Sequence, residues 1–263
     1  MTREVLMTRN NIGGAEVNFS LSGPQGAPVL ALAHPLGADL GVWDEVRAQL
    51  GDRFRVLAYD VRGHGGSFGP PGPYALDDLG GDFLGLLDAL GIARASFCGL
   101  SMSGLIGQWL LVHAPERLEK LVLANTAACL PDAAAWNARI AAVEKGGVAA
   151  LTPNILPRWL SAPFRAAHPE VVARIEALLD ACDAGGYAGC CAALRDADFR
   201  ESLPGAAKKD ILVIVGEADG STPPAMGEEL ARLSGARLAR LDAAHLSCVE
   251  DAPGFAALLR EFL

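Results

Sequence analysis

The sequence has no long apolar run and comparatively little positive charge. No uninterrupted apolar stretch reaches the ~20 residues that a helix needs to cross a bilayer, and residues 1–6 lack the extended apolar core of a secretory signal. Lysine and arginine number 22 against 31 aspartates and glutamates, which gives a formal charge of −9. This charge disfavours nucleic acids and anionic membranes as partners. We therefore expect a cytoplasmic protein with neither nucleic-acid nor membrane partners.

Motifs for common cofactors and metals are also missing. No G-x-G-x-x-G turn opens a helix, so nothing indicates a bound dinucleotide. The 6 cysteines match no zinc-ligand spacing, and we interpret them as buried free thiols of a reducing compartment. We expect no cofactor and no metal. Apolar residues are abundant: 51% of the 263 residues are hydrophobic, enough for one large domain or a domain with an insertion.

Strand-like and helix-like segments alternate in two blocks of the chain. This alternation is typical of a mostly parallel sheet with helices on both faces. Between the blocks the sequence is alanine-rich, helical in pattern and interrupted by prolines. We predict a core of residues 1–127 and 204–263, with residues 128–203 inserted as an all-helical cap over the carboxyl edge of the strands. The predicted strands are 16–21, 29–33, 54–59, 95–98, 118–125, 210–216 and 236–241, and predicted helices include 75–90 and 252–262.

The most informative motif is Gly99-Leu100-Ser101-Met102-Ser103. It lies between a buried strand and a buried helix, and it matches the G-x-S-x-G turn that presents a serine nucleophile, except that Ser103 replaces the last glycine. A helix N-terminus beside that serine favours developing negative charge. We predict that Ser101 is a catalytic nucleophile. The alternative is a serine that only caps the following helix.

A serine nucleophile needs a base and an acid that orients the base. Asp219 follows a buried apolar strand, and His245 follows the next strand, so the order along the chain is Ser, Asp, His. We predict His245 as general base and then general acid, with Asp219 holding its tautomer. An ordinary turn aspartate is the alternative for Asp219, and Glu217 is a competing acid. Helix formation is expected to resume with Thr222 as cap and Pro223 as first helical residue.

Two backbone N–H groups are candidates for an oxyanion hole. One belongs to Met102, directly after the nucleophile, and the other to the loop after the strand at 29–33. Pro35 in that loop has no N–H, so we predict Leu36 as the second donor. A simple turn is the alternative, and His34 is expected to be structural or to face the substrate.

A second histidine lies in a glycine-rich loop after the strand at 54–59. His64 precedes Ser101 in the chain, which is the wrong order for a catalytic base, so we interpret it as structural. Asp60 and Arg62 are expected to pair and hold that loop.

Taken together, these segments resemble the α/β-hydrolase superfamily and, within it, the family of 3-oxoadipate enol-lactonases of the β-ketoadipate pathway. The superfamily resemblance rests on Asp60-Val61-Arg62-Gly63-His64-Gly65, Gly99-Leu100-Ser101-Met102 and Ala243-Ala244-His245. The narrower resemblance rests on His34-Pro35-Leu36-Gly37-Ala38-Asp39 with Trp43, Gly107-Gln108-Trp109-Leu110, Trp136-Asn137-Ala138-Arg139-Ile140, Arg158-Trp159-Leu160 and Gly186-Tyr187-Ala188-Gly189-Cys190-Cys191.

The resemblance implies the α/β-hydrolase fold, with a mostly parallel eight-stranded sheet, helices on both faces and an inserted helical cap. It implies a serine hydrolase that opens 3-oxoadipate enol-lactone to 3-oxoadipate through an acyl-enzyme on Ser101. The alternatives are a broader carboxylesterase with the same triad and a non-catalytic small-molecule binding protein. The expected partner is a small-molecule lactone or ester substrate; the sequence leaves the oligomeric state open, a homo-oligomer included.

A substrate with a carboxylate needs a cation near the site, and arginine suits bidentate recognition of carboxylates. We predict Arg139 and Arg158, together with Trp136 and Trp159, as substrate-binding residues of the cap. The alternatives are solvated helix faces for the arginines and cap core for the tryptophans.

Overall fold

One sheet organises the molecule. The computed structural model describes residues 6–12, 14–130, 132–206 and 208–263, and within these residues 8 strands pair in the order β1-β2-β4-β3-β5-β6-β7-β8. Strands β1 and β2 are antiparallel to their neighbours, and the pairs from β4 to β8 are parallel. The strands are β1 Leu6–Ile12, β2 Ala15–Ser22, β3 Val29–Ala33, β4 Arg55–Tyr59, β5 Ala95–Leu100, β6 Leu118–Ala124, β7 Ile211–Gly216 and β8 Arg237–Leu241.

Helices lie in the connections between the parallel strands and after β8. The α-helices are α1 Asp44–Leu50, α2 Leu76–Ala89, α3 Met102–His113, α4 Ala133–Gly146, α5 Thr152–Trp159, α6 Ala162–Ala167, α7 Pro169–Asp180, α8 Ala184–Asp196, α9 Pro224–Ser234, α10 Ser247–Glu250 and α11 Ala252–Phe262. Short 3₁₀ helices are Leu40–Trp43, Pro115–Arg117, Val148–Ala150 and Leu203–Gly205. None of the helices in the described residues is both long and apolar enough to span a membrane.

The strand order places helices on both faces of the sheet. The connection from β3 to β4 runs toward one edge through α1, whereas those from β4 to β5 and from β5 to β6 run toward the other through α2 and α3. Because crossovers between parallel strands are right-handed, helices on oppositely directed connections lie on opposite faces. In agreement, α1 packs against α11, and α2 packs against α3. The predicted α/β class with a mostly parallel eight-stranded sheet is confirmed.

The direction of the connections reverses between the neighbouring strands β3 and β5. The loops that leave their carboxyl ends diverge toward opposite faces and open a crevice, the usual place for a ligand in an open parallel sheet. His34–Leu36 follow β3 and Ser101 follows β5, so both predicted motifs lie at this crevice.

Residues 125–210, between β6 and β7, contain α-helices α4 to α8 and no strand among the residues described; we call them the helical segment. The beginning and the end of the helical segment meet near β6, where Phe199 donates its N–H to the carbonyl of Ala128 over 2.9 Å. Pro153, Pro163 and Pro169 lie in the first turns of α5, α6 and α7, where a missing N–H costs nothing. These prolines therefore start helices; Pro157 alone of the four lies inside one. The division into residues 1–127 with 204–263 and residues 128–203 stays a prediction.

Most predicted strand boundaries agree with the structure to within two residues, but two features differ. Strand β1 was not expected from its sequence, which alternates weakly. Helix α9 begins at Pro224 with Pro223 as its N-cap, so the prediction that Thr222 caps it is wrong. The Thr222 hydroxyl instead donates to Asp219 over 2.9 Å, and this charge-assisted hydrogen bond turns the side chain toward the carboxylate.

Candidate active site

Ser101 occupies a strained turn between β5 and α3. Its φ of 57° and ψ of −113° lie in a region that serine rarely adopts. The turn is held by its backbone: the Ser101 N–H donates to Ala124 over 2.9 Å, and its carbonyl accepts from the Gly104 N–H and the Thr126 hydroxyl, each at 2.8 Å. Gly99 makes the turn possible, since a Cβ there would lie 2.1 Å from the Ser103 carbonyl oxygen.

Ser103, the residue that departs from the G-x-S-x-G pattern, is completely buried. Its hydroxyl donates to the carbonyl oxygen of His34 over 2.6 Å. The extra hydroxymethyl group thus has a partner on the loop after β3, and it joins that loop to the first turn of α3.

Asp219 and His245 form a buried pair at the ends of β7 and β8. Asp219 Oδ2 lies 2.8 Å from His245 Nδ1, and the two side chains are 0% and 2% exposed. Because the carboxylate accepts, it assigns the hydrogen to Nδ1 and leaves Nε2 as an acceptor. Glu217, the competing acid, instead lies at the surface, 2.9 Å from Arg240.

Asp219 accepts hydrogen bonds on both carboxylate oxygens. Oδ1 accepts from the N–H groups of Ser221 and Thr222, each at 2.8 Å. Burial alone would raise the pKa of Asp219, but the field and hydrogen bond of His245, the Thr222 N–H and the Asn125 amide hold that pKa below its usual value. Asp219 is therefore an anion at neutral pH, oriented toward the imidazole.

Asn125, at the end of β6, was missed by the sequence analysis. Its Nδ2 donates to Asp219 Oδ2 over 3.0 Å and to the Ala244 carbonyl over 3.3 Å, and its Oδ1 accepts from the Ser247 hydroxyl over 2.5 Å. Its φ of 47° is left-handed, a conformation that asparagine tolerates better than most residues. The sequence feature that could have identified Asn125 as a site candidate is its position, since it is a polar residue directly after a buried parallel strand.

The loop after β3 brings Leu36 to the same crevice as Ser101. In the part of the chain that the structure describes, the Leu36 N–H donates to no protein acceptor. Met102 is the first residue of α3, so no preceding helical turn satisfies its N–H. Within the described residues, neither of the two predicted oxyanion N–H groups thus donates to a backbone carbonyl, and both are available to a ligand.

His34 has a structural place in that loop. The ring accepts the Val61 N–H at Nε2 over 2.9 Å, and Nδ1 lies 2.8 Å from the Pro35 carbonyl. Complete burial lowers the pKa of His34 to about 4, so the ring is neutral at physiological pH.

A cavity of about 630 Å³ connects these residues to the helical segment. Ser101, His245 and Leu36 line it from the sheet, together with all four residues predicted to bind substrate, namely Trp136, Arg139, Arg158 and Trp159. Apolar side chains such as Leu130, Ile155 and Met226 complete the wall. This volume and mixed lining are typical of small-molecule sites.

The two arginines are held differently. Arg139 donates Nε to the Tyr187 hydroxyl over 2.9 Å, and its guanidinium lies 5.5 and 5.6 Å from the ring centres of Trp136 and Tyr187. Arg158 is exposed and has no hydrogen bond or ion pair with the other described residues. Trp159 is 6% exposed, with its ring centre 6.3 Å from that of His245, so it is both core and cavity wall.

The expected pair of Asp60 and Arg62 is not formed. Arg62 instead pairs with Asp82 at 2.6 Å, whereas Asp60 accepts from the Leu40 and Gly66 N–H groups and the Asn18 amide. The reason is direction: Asp60 points into the loop, where backbone donors satisfy it.

His64 is buried in that loop and contacts His34, with ring centres 5.3 Å apart. Its Nδ1 lies 3.2 Å from the Arg62 carbonyl. It does not line the cavity of Ser101. Among the described residues, no group of three or more His, Cys, Asp or Glu is arranged to hold a metal.

Comparisons with known proteins agree with this geometry. The α/β hydrolase fold family matches residues 28–145. The chain is 40% identical to 3-oxoadipate enol-lactonase 2 of Acinetobacter baylyi over 91% of this chain and 90% of that protein. It is 36% identical to 3-oxoadipate enol-lactonase 1 of the same organism, over 96% and 95%.

A solved structure extends the likeness to three dimensions. The enol-lactonase from Burkholderia xenovorans superimposes with a TM-score of 0.94 at 41% identity, covering 97% of this chain and 99% of that one. The chain therefore belongs to the α/β-hydrolase family, in which it resembles the 3-oxoadipate enol-lactonases over almost its whole length.

Proposed function

We propose that this protein is a serine hydrolase that opens 3-oxoadipate enol-lactone to 3-oxoadipate. The observation that carries the proposal is one shared cavity: Ser101 on its strained turn and His245 line it together, and Asp219 lies behind His245, 2.8 Å from its Nδ1. The enol-lactonase relatives supply the substrate class.

The proposed reaction uses a covalent intermediate on Ser101. His245 Nε2 takes the Ser101 proton as the hydroxyl attacks the lactone carbonyl, and Asp219 stabilises the imidazolium. The N–H groups of Met102 and Leu36 bind the oxygen that becomes negative. Collapse breaks the ring ester bond and expels the enol oxygen, which stays attached through the carbon chain. An enolate is a good leaving group, so this step needs little help from an acid. The imidazolium of His245 then gives its proton to the enolate oxygen, which leaves a free enol on the acyl chain and a neutral imidazole.

Water then completes the cycle. His245 removes a proton from water as the water oxygen attacks the acyl-enzyme, and the protonated imidazole returns the proton to Ser101 Oγ when the ester bond breaks. The free enol tautomerises to the ketone, so lactone and one water give 3-oxoadipate. In this proposal residues 128–203 act as the cap that closes the cavity.

Recognition of the substrate carboxylate is assigned to Arg139 and Arg158. Arg139 keeps its terminal nitrogens for a ligand because Tyr187 occupies only Nε and the flanking rings restrict the guanidinium. Such a pre-ordered fork loses little entropy on binding a carboxylate. The net charge of the chain is −9, but these two cations place positive charge in the wall of the cavity, where an anionic substrate would bind.

The decisive assay compares the enol-lactone, made in situ from muconolactone, with short p-nitrophenyl esters. We expect a higher kcat/KM for the lactone, fluorophosphonate labelling of the wild type and loss of both properties in Ser101→Ala. A strong preference for the esters would indicate a general carboxylesterase. Neither turnover nor labelling would indicate a binding protein.

Arginine variants test carboxylate recognition. Arg139→Ala should raise KM for the lactone by at least about tenfold, since charged hydrogen bonds contribute about 1.5–3 kcal/mol. Arg158→Ala measures the contribution of the second arginine separately. Exposed Arg94, whose partner is Glu119 at the surface, offers a matched control as Arg94→Ala. Equal losses on a neutral ester would contradict a role in binding the carboxylate.

A further inference from the structure

Ser103 connects the two backbone segments that the proposed function uses as an oxyanion hole. It directly follows Met102, and its hydroxyl donates to the His34 carbonyl, two residues before Leu36. Ser103 is completely buried and the bond is 2.6 Å long, so water does not compete for it.

The other end of this contact is also fixed. The His34 ring accepts the Val61 N–H at Nε2, which ties the loop after β3 to the end of β4. The loop bearing Leu36 is thus held from β4 on one side and from α3 on the other. Without the Ser103 hydroxyl, the contact from α3 is lost and the one from β4 remains.

Spacing of the two donors determines how well they stabilise the transition state. An oxyanion hole works only when both N–H groups lie at hydrogen-bond distance from the position of the developing charge. Catalytic groups must be held to within about 0.5 Å, and the holding is done by neighbouring residues. A bond that spans the gap between Met102–Ser103 and His34–Leu36 acts on this spacing.

We propose that Ser103 is a positioning residue, whose hydroxyl holds the Leu36 N–H at the correct distance from the Met102 N–H. The inference rests on the proposed serine-hydrolase function and adds to it a reason for the departure from G-x-S-x-G. Ser103 does not touch substrate, so its effect falls on the transition state and not on substrate binding.

The test is Ser103→Ala, with Ser103→Gly as a second variant. We expect kcat to fall about tenfold, the scale of a small misplacement of catalytic groups, with KM unchanged. Affinity for an alkylboronic acid, which forms a tetrahedral adduct on a nucleophilic serine, should fall by the same factor. Affinity for 3-oxoadipate, which makes no oxyanion, should stay the same.

Ser20→Ala is the matched control, because it also removes a buried serine hydroxyl. Ser20 lies in β2, and its hydroxyl accepts a hydrogen bond from the Arg47 guanidinium over 2.6 Å. It should lower the Tm without changing kcat or boronate affinity. If Ser103→Ala and Ser103→Gly behave like Ser20→Ala, Ser103 is merely structural and the proposal is wrong.

Failure of the proposed substrate is distinguishable from failure of this inference. If the wild type hydrolyses p-nitrophenyl esters but not the lactone, ester kcat and boronate affinity still test Ser103. If it hydrolyses neither and binds no boronate, both proposals are overturned.

Discussion

Asp219 lies in a dense set of donors. Among the described residues, Asp219 Oδ2 accepts hydrogen bonds from the side chains of His245, Asn125 and Thr222, and Oδ1 accepts from two backbone N–H groups. A carboxylate so fully bonded is rigid as well as ionised. Its proposed task, selecting the Nδ1-protonated tautomer of His245, depends on accepting a hydrogen bond, which an amide NH₂ in its place would not do.

Asp219→Asn should therefore keep the fold and lower kcat by about 10³-fold or more, because an amide turned toward Nδ1 favours the wrong tautomer. Steady-state kinetics with a circular dichroism spectrum measure both effects. Glu217→Gln is the matched control, since Glu217 pairs with exposed Arg240 and should leave kcat unchanged. Survival of activity in Asp219→Asn together with its loss in Glu217→Gln would show that the acid is Glu217.

The turn from β5 to α3 is the element on which the site depends. Strand and helix approach so closely there that a Cβ on Gly99 would lie 2.1 Å from the Ser103 carbonyl oxygen, a backbone atom that cannot turn away. Strain at Ser101 is thus sustained by close packing on both sides, as strain at functional sites generally must be.

Gly99→Ala should lower the free energy of unfolding by at least about 3 kcal/mol, because the added methyl group overpacks a turn that cannot relax. Activity should be lost with it. Gly81→Ala is the control: Gly81 is exposed in α2 with open space around it, so alanine should stabilise the protein by about 0.5–1 kcal/mol. Urea denaturation measures both variants, and an unchanged midpoint in Gly99→Ala would contradict this account of the turn.

Elements with a strong local pattern could be predicted from the sequence. Strands β3 and β7 are continuous apolar runs with clear ends, and the motif at Gly99 fixes a turn by sterics alone. The positions of Ser101, Asp219 and His245 at one edge follow, because parallel strands share the direction of their carboxyl ends.

Interactions between distant segments could not be predicted in this way. Nothing local to Asn125 reveals that it will meet Asp219, 94 residues away, and Thr222 has an equally good local use as a helix cap. Arg62 and Asp60 are close in the chain but point apart, so proximity in sequence suggested the wrong pair. Each of these depends on the packing of strands and loops that are remote in sequence.

Burial affects the charge of two histidines that lie outside the proposed catalytic triad, His34 and His64. Burial lowers the pKa of His34 to about 4 and that of His64 to about 3, from an ordinary value of 6.5. At any pH between these lowered pKa values and 6.5, the two rings carry protons in the unfolded chain that they do not carry in the folded chain. Stability from this source is therefore fully present above pH 6.5 and decreases as the pH falls toward 4. Burial raises the pKa of Asp39, Asp60 and Asp82, whose contributions have the opposite sign.

A comparison of the wild type with His64→Asn isolates one histidine from these opposing groups. Removing His64 removes about one proton of the difference between unfolded and folded chains at pH 5, equivalent to about 1.4 kcal/mol per pH unit. The variant should lose stability at pH 7.5, where the neutral ring packs against His34, and this deficit should shrink by about 1–2 kcal/mol on going to pH 5. Urea denaturation at pH 5, 6 and 7.5 measures the deficit. A deficit that stays constant across the three values would mean that His64 carries the same charge in the folded and unfolded chain, contrary to its burial as a neutral ring.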